Sequence, residues 1–492
     1  MKHYLFVVGL LVSSVNSEPW VDTRDEFLRA DIELLADQGI ITVPITTYPL
    51  MWSGIIKDLD DVDIADISTN YKDVYWRVKK SGKEALYKNL RQVRVSLSNQ
   101  EQTIRSFGDE GRAKAEINAR RSGMNKRFAW NIEITRVRSP QDKKTVRFDG
   151  SYGSVVSGNW IVTLGAVEKW WGPTWNSAIL LSNNARPPVG ISVQRNYSDN
   201  SSNPIFGWLG AWTFNGFIGQ LDDQRVIKDT KLTGLSFSFK PHHSVEIGLR
   251  ATGLWGGEGR TESFTSLIDN FIGNDKCELI SERHCLDLYG DDYYSQNGHR
   301  LAGLDFRWKL PFDYPVSFYA SLYGENESEL IPSKTIQQFG LTSSFQIFGS
   351  HWKWFAESSD TSSGKGFSQT YESPVYQTGY RYYSRNIGST YDNDADGVSL
   401  GVLGALNRQN RFKFSISSIK MNQDNSNRSD VVLPTIGKQT VDIKRITIDW
   451  SFQYSKLGNV NFGISYSDNI YDEFIKIEDK TRFSLDWEYR LQ

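Results

Sequence analysis

The sequence predicts an all-β transmembrane barrel of about 18 antiparallel strands behind a small helical region, and three observations lead there. Aromatic residues reach 13% of the 492, with 16 Trp, while hydrophobic residues in total reach only 39%. A soluble core so rich in aromatics would normally carry more aliphatic residues. A membrane barrel needs one apolar face per strand and places aromatics at both interfaces. No internal segment approaches the roughly 20 apolar residues of a membrane helix, so a membrane-embedded chain has to close as a barrel. Period-two alternation then runs from about Arg127 to the C-terminus. Lys plus Arg number 56 against 58 Asp plus Glu, a balance that argues against a nucleic-acid partner.

In chain order, Lys2 and His3 precede an apolar run and Val15-Asn16-Ser17, the pattern of a secretory signal over residues 1–17. Residues 18–125 read as a helical domain. Thr23 and Glu26 fit a capping box, Leu28, Ile32 and Leu35 follow at helical spacing, and Gly39 supplies a stop. Further helices are expected over residues 51–59 and 71–80, the second with Tyr71, Val74, Tyr75 and Val78 on one face. Residues 83–121 are rich in charged and amide side chains and declare neither helix nor strand.

Residues 126–492 read as barrel. Val245, Ile247 and Leu249 oppose Glu246 and Arg250; Leu304, Phe306 and Trp308 oppose Asp305, Arg307 and Lys309. The last runs are the cleanest: Ile446, Ile448 and Trp450, then Phe462 and Ile464, then Phe483, Leu485 and Trp487 opposite Arg482, Asp486, Glu488 and Arg490. A soluble sandwich would also show two-faced strands, but run length and the Trp and Tyr near run ends favour a barrel with a charged lumen. Polar stretches 256–297, 358–375 and 422–438 read as extracellular loops. Cys277 and Cys285 fall in the first of these and read as one disulfide of an exported protein.

Several groups of residues are candidates for function. Trp170-Trp171-Gly172-Pro173 reads as an interface anchor and tight turn, with sugar stacking as the competing use. Arg186 and Arg195 suit either an acidic glycan or lumen carboxylates such as Asp222 or Asp223, structural pairing being favoured. Tyr380, Arg381, Tyr382, Tyr383 and Arg385, with Tyr289, Tyr293 and Tyr294, interleave rings and cations as a polysaccharide reader requires. Asp392, Asp394 and Asp396 begin a calcium loop, but Leu403 stands where a bidentate Glu is needed, so no metal is expected. No zinc-protease or nucleophile-elbow motif occurs, and neither a catalytic role nor a cofactor is expected.

Glu168-Lys169-Trp170-Trp171-Gly172-Pro173 followed by Ser182-Asn183-Asn184-Ala185-Arg186-Pro187 resembles the Wzi capsule-assembly family. Thr46-Thr47-Tyr48-Pro49-Leu50, Leu254-Trp255-Gly256-Gly257-Glu258-Gly259-Arg260 and Gly379-Tyr380-Arg381-Tyr382 match in order, so the resemblance spans most of the chain. It implies an outer-membrane barrel of a Gram-negative cell, plugged from the periplasmic side by the N-terminal helices, and a lectin rather than a catalyst. Asn183, Asn184 and Arg186 are then family-motif residues with a structural role. The expected function is to bind capsular or extracellular polysaccharide and organise it at the cell surface. Outer-membrane lipid, lipopolysaccharide and the export machinery are the other partners. A carbohydrate porin or polysaccharide export pore is the alternative.

Overall fold

The computed structural model describes residues 18–491 apart from 141, 201–202, 204, 273–298, 326–334, 348, 363–369, 374, 408, 424–439, 455–456 and 470–478. The expected signal (residues 1–17), the cysteine pair and Tyr289, Tyr293 and Tyr294 lie outside the described residues.

The N-terminal region packs three helices: α1 (Glu26–Asp37), α2 (Trp52–Asp61) and α3 (Thr69–Tyr87). Ile32, Leu35, Ile55, Leu59, Val74 and Val78 are fully buried and make their common core. The cap of α1 is Asp25 rather than Thr23: its carboxylate accepts from the Phe27 and Leu28 N–H groups at 3.0 and 2.9 Å. Thr23 instead donates to Glu168 at 2.8 Å, a partner 145 residues away.

The barrel strands are β1 (Leu90–Ser98), β2 (Ala115–Met124), β3 (Phe128–Arg138), the interrupted β4 (Val146–Arg147 and Tyr152–Ser157), β5 (Trp160–Gly165) and β6 (Val189–Arg195). They continue with β7 (Ala211–Gln220), β8 (Lys231–His242), β9 (Val245–Trp255), β10 (His299–Lys309), β11 (Val316–Glu325) and β12 (Thr335–Ile347). The circuit ends with β13 (Ser350–Asp360), β14 (Asp396–Ala405), β15 (Asn410–Met421), β16 (Val441–Tyr454), β17 (Gly458–Ser467) and β18 (Thr481–Arg490). Both pieces of β4 pair with β3, so among the described residues the sheet has 18 strands. It closes where β18 pairs with β1, Leu485 opposite Leu97 and Trp487 opposite Val95. Closure leaves no open edge in lipid.

The barrel therefore starts near residue 90, not at 126. In β1, Val93, Val95 and Leu97 alternate with Gln92, Arg94 and Ser96, and β2 alternates likewise. The lumen-facing side of these strands is so polar that their composition hides the period.

Ile134, Leu164, Ile191, Leu249, Leu304 and Ile448 point outward and are exposed, the band expected to meet lipid. Inward side chains are buried and mostly polar, with apolar ones such as Leu254, Leu301 and Ile336 joining the core beneath the extracellular loops. Connections such as His242 to Val245, Ile347 to Ser350 and Ala405 to Asn410 are short. They lie at the end where α3 enters β1, the periplasmic end by this rule of short turns.

The lumen is filled from both ends. The helices occupy the periplasmic half, and wall charges meet them one by one. Glu246 accepts from the Ile45 and Thr46 N–H groups at 3.0 and 2.9 Å. Arg307 donates to Asp37 at 2.7 Å, Lys353 pairs with Glu33 at 2.8 Å and Lys413 donates to Glu26 at 2.6 Å. Charges this deep persist only when paired and hydrogen-bonded. From the other end, residues 99–114, 166–188 and the described part of 361–395 turn back into the barrel.

Candidate functional site

The inward connections converge on the two sequence motifs. Trp170 and Trp171 form a two-residue strand paired with Tyr48 and Thr47 of the helical domain. Both indoles are buried within the lumen, so neither anchors the lipid interface. Successive side chains on a strand point opposite ways, and here Trp170 enters the core of the helical domain while Trp171 enters the core beneath the extracellular loops. Gly172 continues the chain at φ 140°, and its N–H donates to the Thr46 carbonyl at 3.0 Å. Arg29 donates to the Pro173 carbonyl at 2.7 Å, with its guanidinium 4.4 Å from the centre of the Phe107 ring and 4.2 Å from that of Trp175.

The second motif ties loops together. Arg112 donates to the carbonyls of Asn183 and Asn184 at 2.8 and 2.7 Å, and Arg105 reaches Asn183 at 3.1 Å. Asn184 Nδ2 donates to the Asn386 carbonyl at 2.9 Å. Arg186 meets neither Asp222 nor Asp223: it holds Asp149 with two bonds, at 2.7 and 2.8 Å, and Asp142 at 2.7 Å. Arg195 donates to the carbonyls of Trp212 and Asp199 at 2.6 and 3.1 Å and lies 3.6 Å over the Trp212 ring.

Above this hub stands a small hairpin, Arg381–Tyr382 against Arg385–Asn386. Its two turn residues, Tyr383 and Ser384, have φ of 47° and 67°, the double left-handed turn that Asn-Gly usually supplies. Tyr380, Arg381 and Tyr382 are buried, contrary to the expectation of a continuous binding strip. Tyr380 donates to the Leu180 carbonyl at 3.0 Å and Arg381 pairs with Glu372 at 2.7 Å and Asp392 at 2.8 Å. Arg385 donates to the carbonyls of Thr103 and Gln102, pinning the hairpin to another inward loop. Tyr383 alone of the three tyrosines is partly exposed. The Arg186 guanidinium lies 4.9 Å from its ring centre, Lys144 lies 5.9 Å away, and its N–H donates to Asp222 at 2.9 Å.

The sequence reading missed Lys144, Asp142, Asp149 and Glu101, which surround the hairpin from connections far away in the chain. Burial pushes the Glu101 carboxyl up to about 7, against the opposing pull of Arg385 and Arg147. Asp392 is committed to Arg381 and to the Asn386 amide at 2.9 Å, while Asp396 starts β14 exposed, so the calcium-like acids do not converge. No group of three metal-ligating side chains gathers among the described residues. A polar void between Ser106, Asp109, Lys413, Asp449 and Arg482 measures about 20 Å³, room for a single water.

The family model of the capsule assembly protein Wzi matches residues 88–481. The chain belongs to that family. A Klebsiella pneumoniae relative described as an uncharacterized 55.8 kDa protein in the cps region is 26% identical over 358 residues, covering 71% of this chain and 68% of the relative. The solved Escherichia coli Wzi, described as a carbohydrate-binding outer-membrane β-barrel involved in group 1 capsule assembly, superposes with a TM-score of 0.81. The match covers 96% of this chain and 99% of the other at 22% identity. This Wzi family member is thus an outer-membrane barrel. Its two Wzi-like motifs lie in the lumen, where they join the helical domain to the extracellular loops.

Proposed function

We propose that this protein binds capsular or extracellular polysaccharide on its extracellular cap and holds the polymer at the outer membrane. The observation that carries the reading is Tyr383: a partly exposed ring on a left-handed turn, flanked by Arg186 and Lys144 above a filled lumen. Non-glycine residues in that conformation cost on the order of 1 kcal/mol or more, and such strain is kept where it places a side chain for use. An aromatic face offers stacking to a sugar ring, and the neighbouring ammonium suits an acidic substituent.

One such contact is weak. A repeating polymer presents the next unit at high effective concentration, so modest contacts on many copies of the protein suffice for retention. The role is that of a non-catalytic binder. Lipid and lipopolysaccharide surround its wall, and the export machinery that delivers the polymer is its expected partner at the surface. A channel would need a continuous passage, and the helical domain and the inward connections stand in the lumen instead.

The test is gene deletion followed by measurement of cell-bound and released polysaccharide. The reading predicts unchanged synthesis with polymer shifted into the medium, restored by the wild-type gene and only partly by Tyr383→Gly. Unchanged retention in the deletion strain would refute it.

A further inference from the structure

The outer wall carries a second feature that polysaccharide binding does not use. Where β17, β18, β1, β2 and β3 reach the extracellular rim, a trough of about 750 Å³ opens on the lipid-facing side. The strand register sets out one row, Phe462 beside Leu485, Leu485 beside Leu97, Leu97 beside Ala115 and Ala115 beside Arg138, with the pair Ile464 and Phe483 next to it. Ala115, with Ser98 and Gly463, leaves it low; Leu97, Phe462, Ile464 and Phe483 are exposed apolar side chains along it. One end is basic. Lys114 and Arg138 line the trough and are exposed, and among the described residues no carboxylate lines it.

Arg136 adds to the charge. It is exposed on the same outward face as Ile132 and Ile134, across from the exposed Ile117. A guanidinium facing lipid this close to the apolar band needs an anion, because desolvated charge is costly without a partner. Neither Arg136 nor Arg138 makes an ion pair among the described residues, and Lys114 exerts only a longer-range pull on Glu101. A long apolar trough ending in Lys114 and Arg138, with Arg136 the next outward residue on the Arg138 strand, matches a molecule with acyl chains and a phosphate. At the extracellular end the bilayer component of that kind is the phosphorylated glycolipid of the outer leaflet.

We propose that this trough is a binding site for one phosphorylated glycolipid of the outer leaflet, with acyl chain against Leu97, Phe462, Ile464 and Phe483 and phosphate among Lys114, Arg136 and Arg138. The site is independent of the polysaccharide cap, so either assignment can fail without the other. The probe is diphosphoryl lipid A, titrated onto the folded full-length protein in mild detergent and followed by native mass spectrometry. Phosphatidylglycerol and dephosphorylated lipid A serve as competitors.

The expected result is one lipid A per protein, retained at least tenfold more weakly by Arg136→Gln/Arg138→Gln and by Ala115→Trp, which fills the trough. Both substitutions face lipid, so heat-modifiable migration should persist; should either misfold, Lys114→Gln/Arg138→Gln at the rim replaces it with the same expectation. Equal retention by wild type and variants would overturn the site. So would phosphatidylglycerol binding as tightly as lipid A, which would mean a general lipid contact.

Discussion

Tyr383 and Ser384 sit in left-handed backbone because the hairpin is held from every side: Arg381 by Glu372 and Asp392, Arg385 by carbonyls of residues 102 and 103, and the Tyr383 N–H by Asp222. This separates the ring from the fold. Tyr383→Gly removes the phenol while easing the turn, so it should leave thermal stability equal or higher. It should weaken polysaccharide binding by about 1 kcal/mol per contact, roughly fivefold, in a calorimetric titration. Glu101 adds a pH dependence. Its carboxyl is raised to about 7, so it sheds its negative charge as pH falls from 8 to 6 and leaves Arg385 and Arg147 less opposed. An acidic polysaccharide should therefore bind more tightly at pH 6 than at pH 8. Glu101→Gln should flatten that slope, and affinity measured at the two pH values checks both.

At the level of elements, the contact that matters most is between helix α1 and the barrel wall. Burial alone would raise the Glu33 carboxyl, but Lys353, Arg29 and Arg307 outweigh it and bring the group down to about 2. A depressed folded pKa means the stabilisation is complete above the ordinary value of 4.5 and is lost as pH falls toward 2. Hydrogen exchange in α1 should accelerate across that window before the strands respond. Glu33→Gln should loosen the helical domain even at neutral pH, by on the order of 3 kcal/mol, since it leaves Lys353 and Arg29 buried without their anion. The same scale shows what the sequence could and could not disclose. Outward stripes such as Ile446, Ile448 and Trp450 repeat every two residues and were legible. Strands β1 and β2 were not, because their lumen faces are polar throughout, Gln92, Arg94 and Ser96 on one and Glu116, Asn118, Arg120 and Ser122 on the other. Nor was the burial of Tyr380 and Arg381, which depends on loops entering the lumen: the Arg385 contact with Thr103 spans 282 residues and Arg29 with Pro173 spans 144. Local periodicity carries no trace of such pairings, and an aromatic and cationic run reads alike whether it faces solvent or a filled interior.

At the scale of the whole molecule, the described residues fill the barrel from both ends. The helical domain enters from the periplasmic end, three extracellular connections enter from the other, and they meet where Trp170 and Trp171 pair with Tyr48 and Thr47. Filling the lumen in this way turns the barrel into a rigid pedestal for the Tyr383 hairpin. Conductance across a planar lipid bilayer tests that claim most directly. The purified protein should insert and remain silent, and Glu357→Ala, which removes the carboxylate holding the Trp175 and Asn176 N–H groups, should produce intermittent openings. Steady, sugar-blockable currents from the unmodified protein would contradict a filled lumen and favour the alternative, a channel.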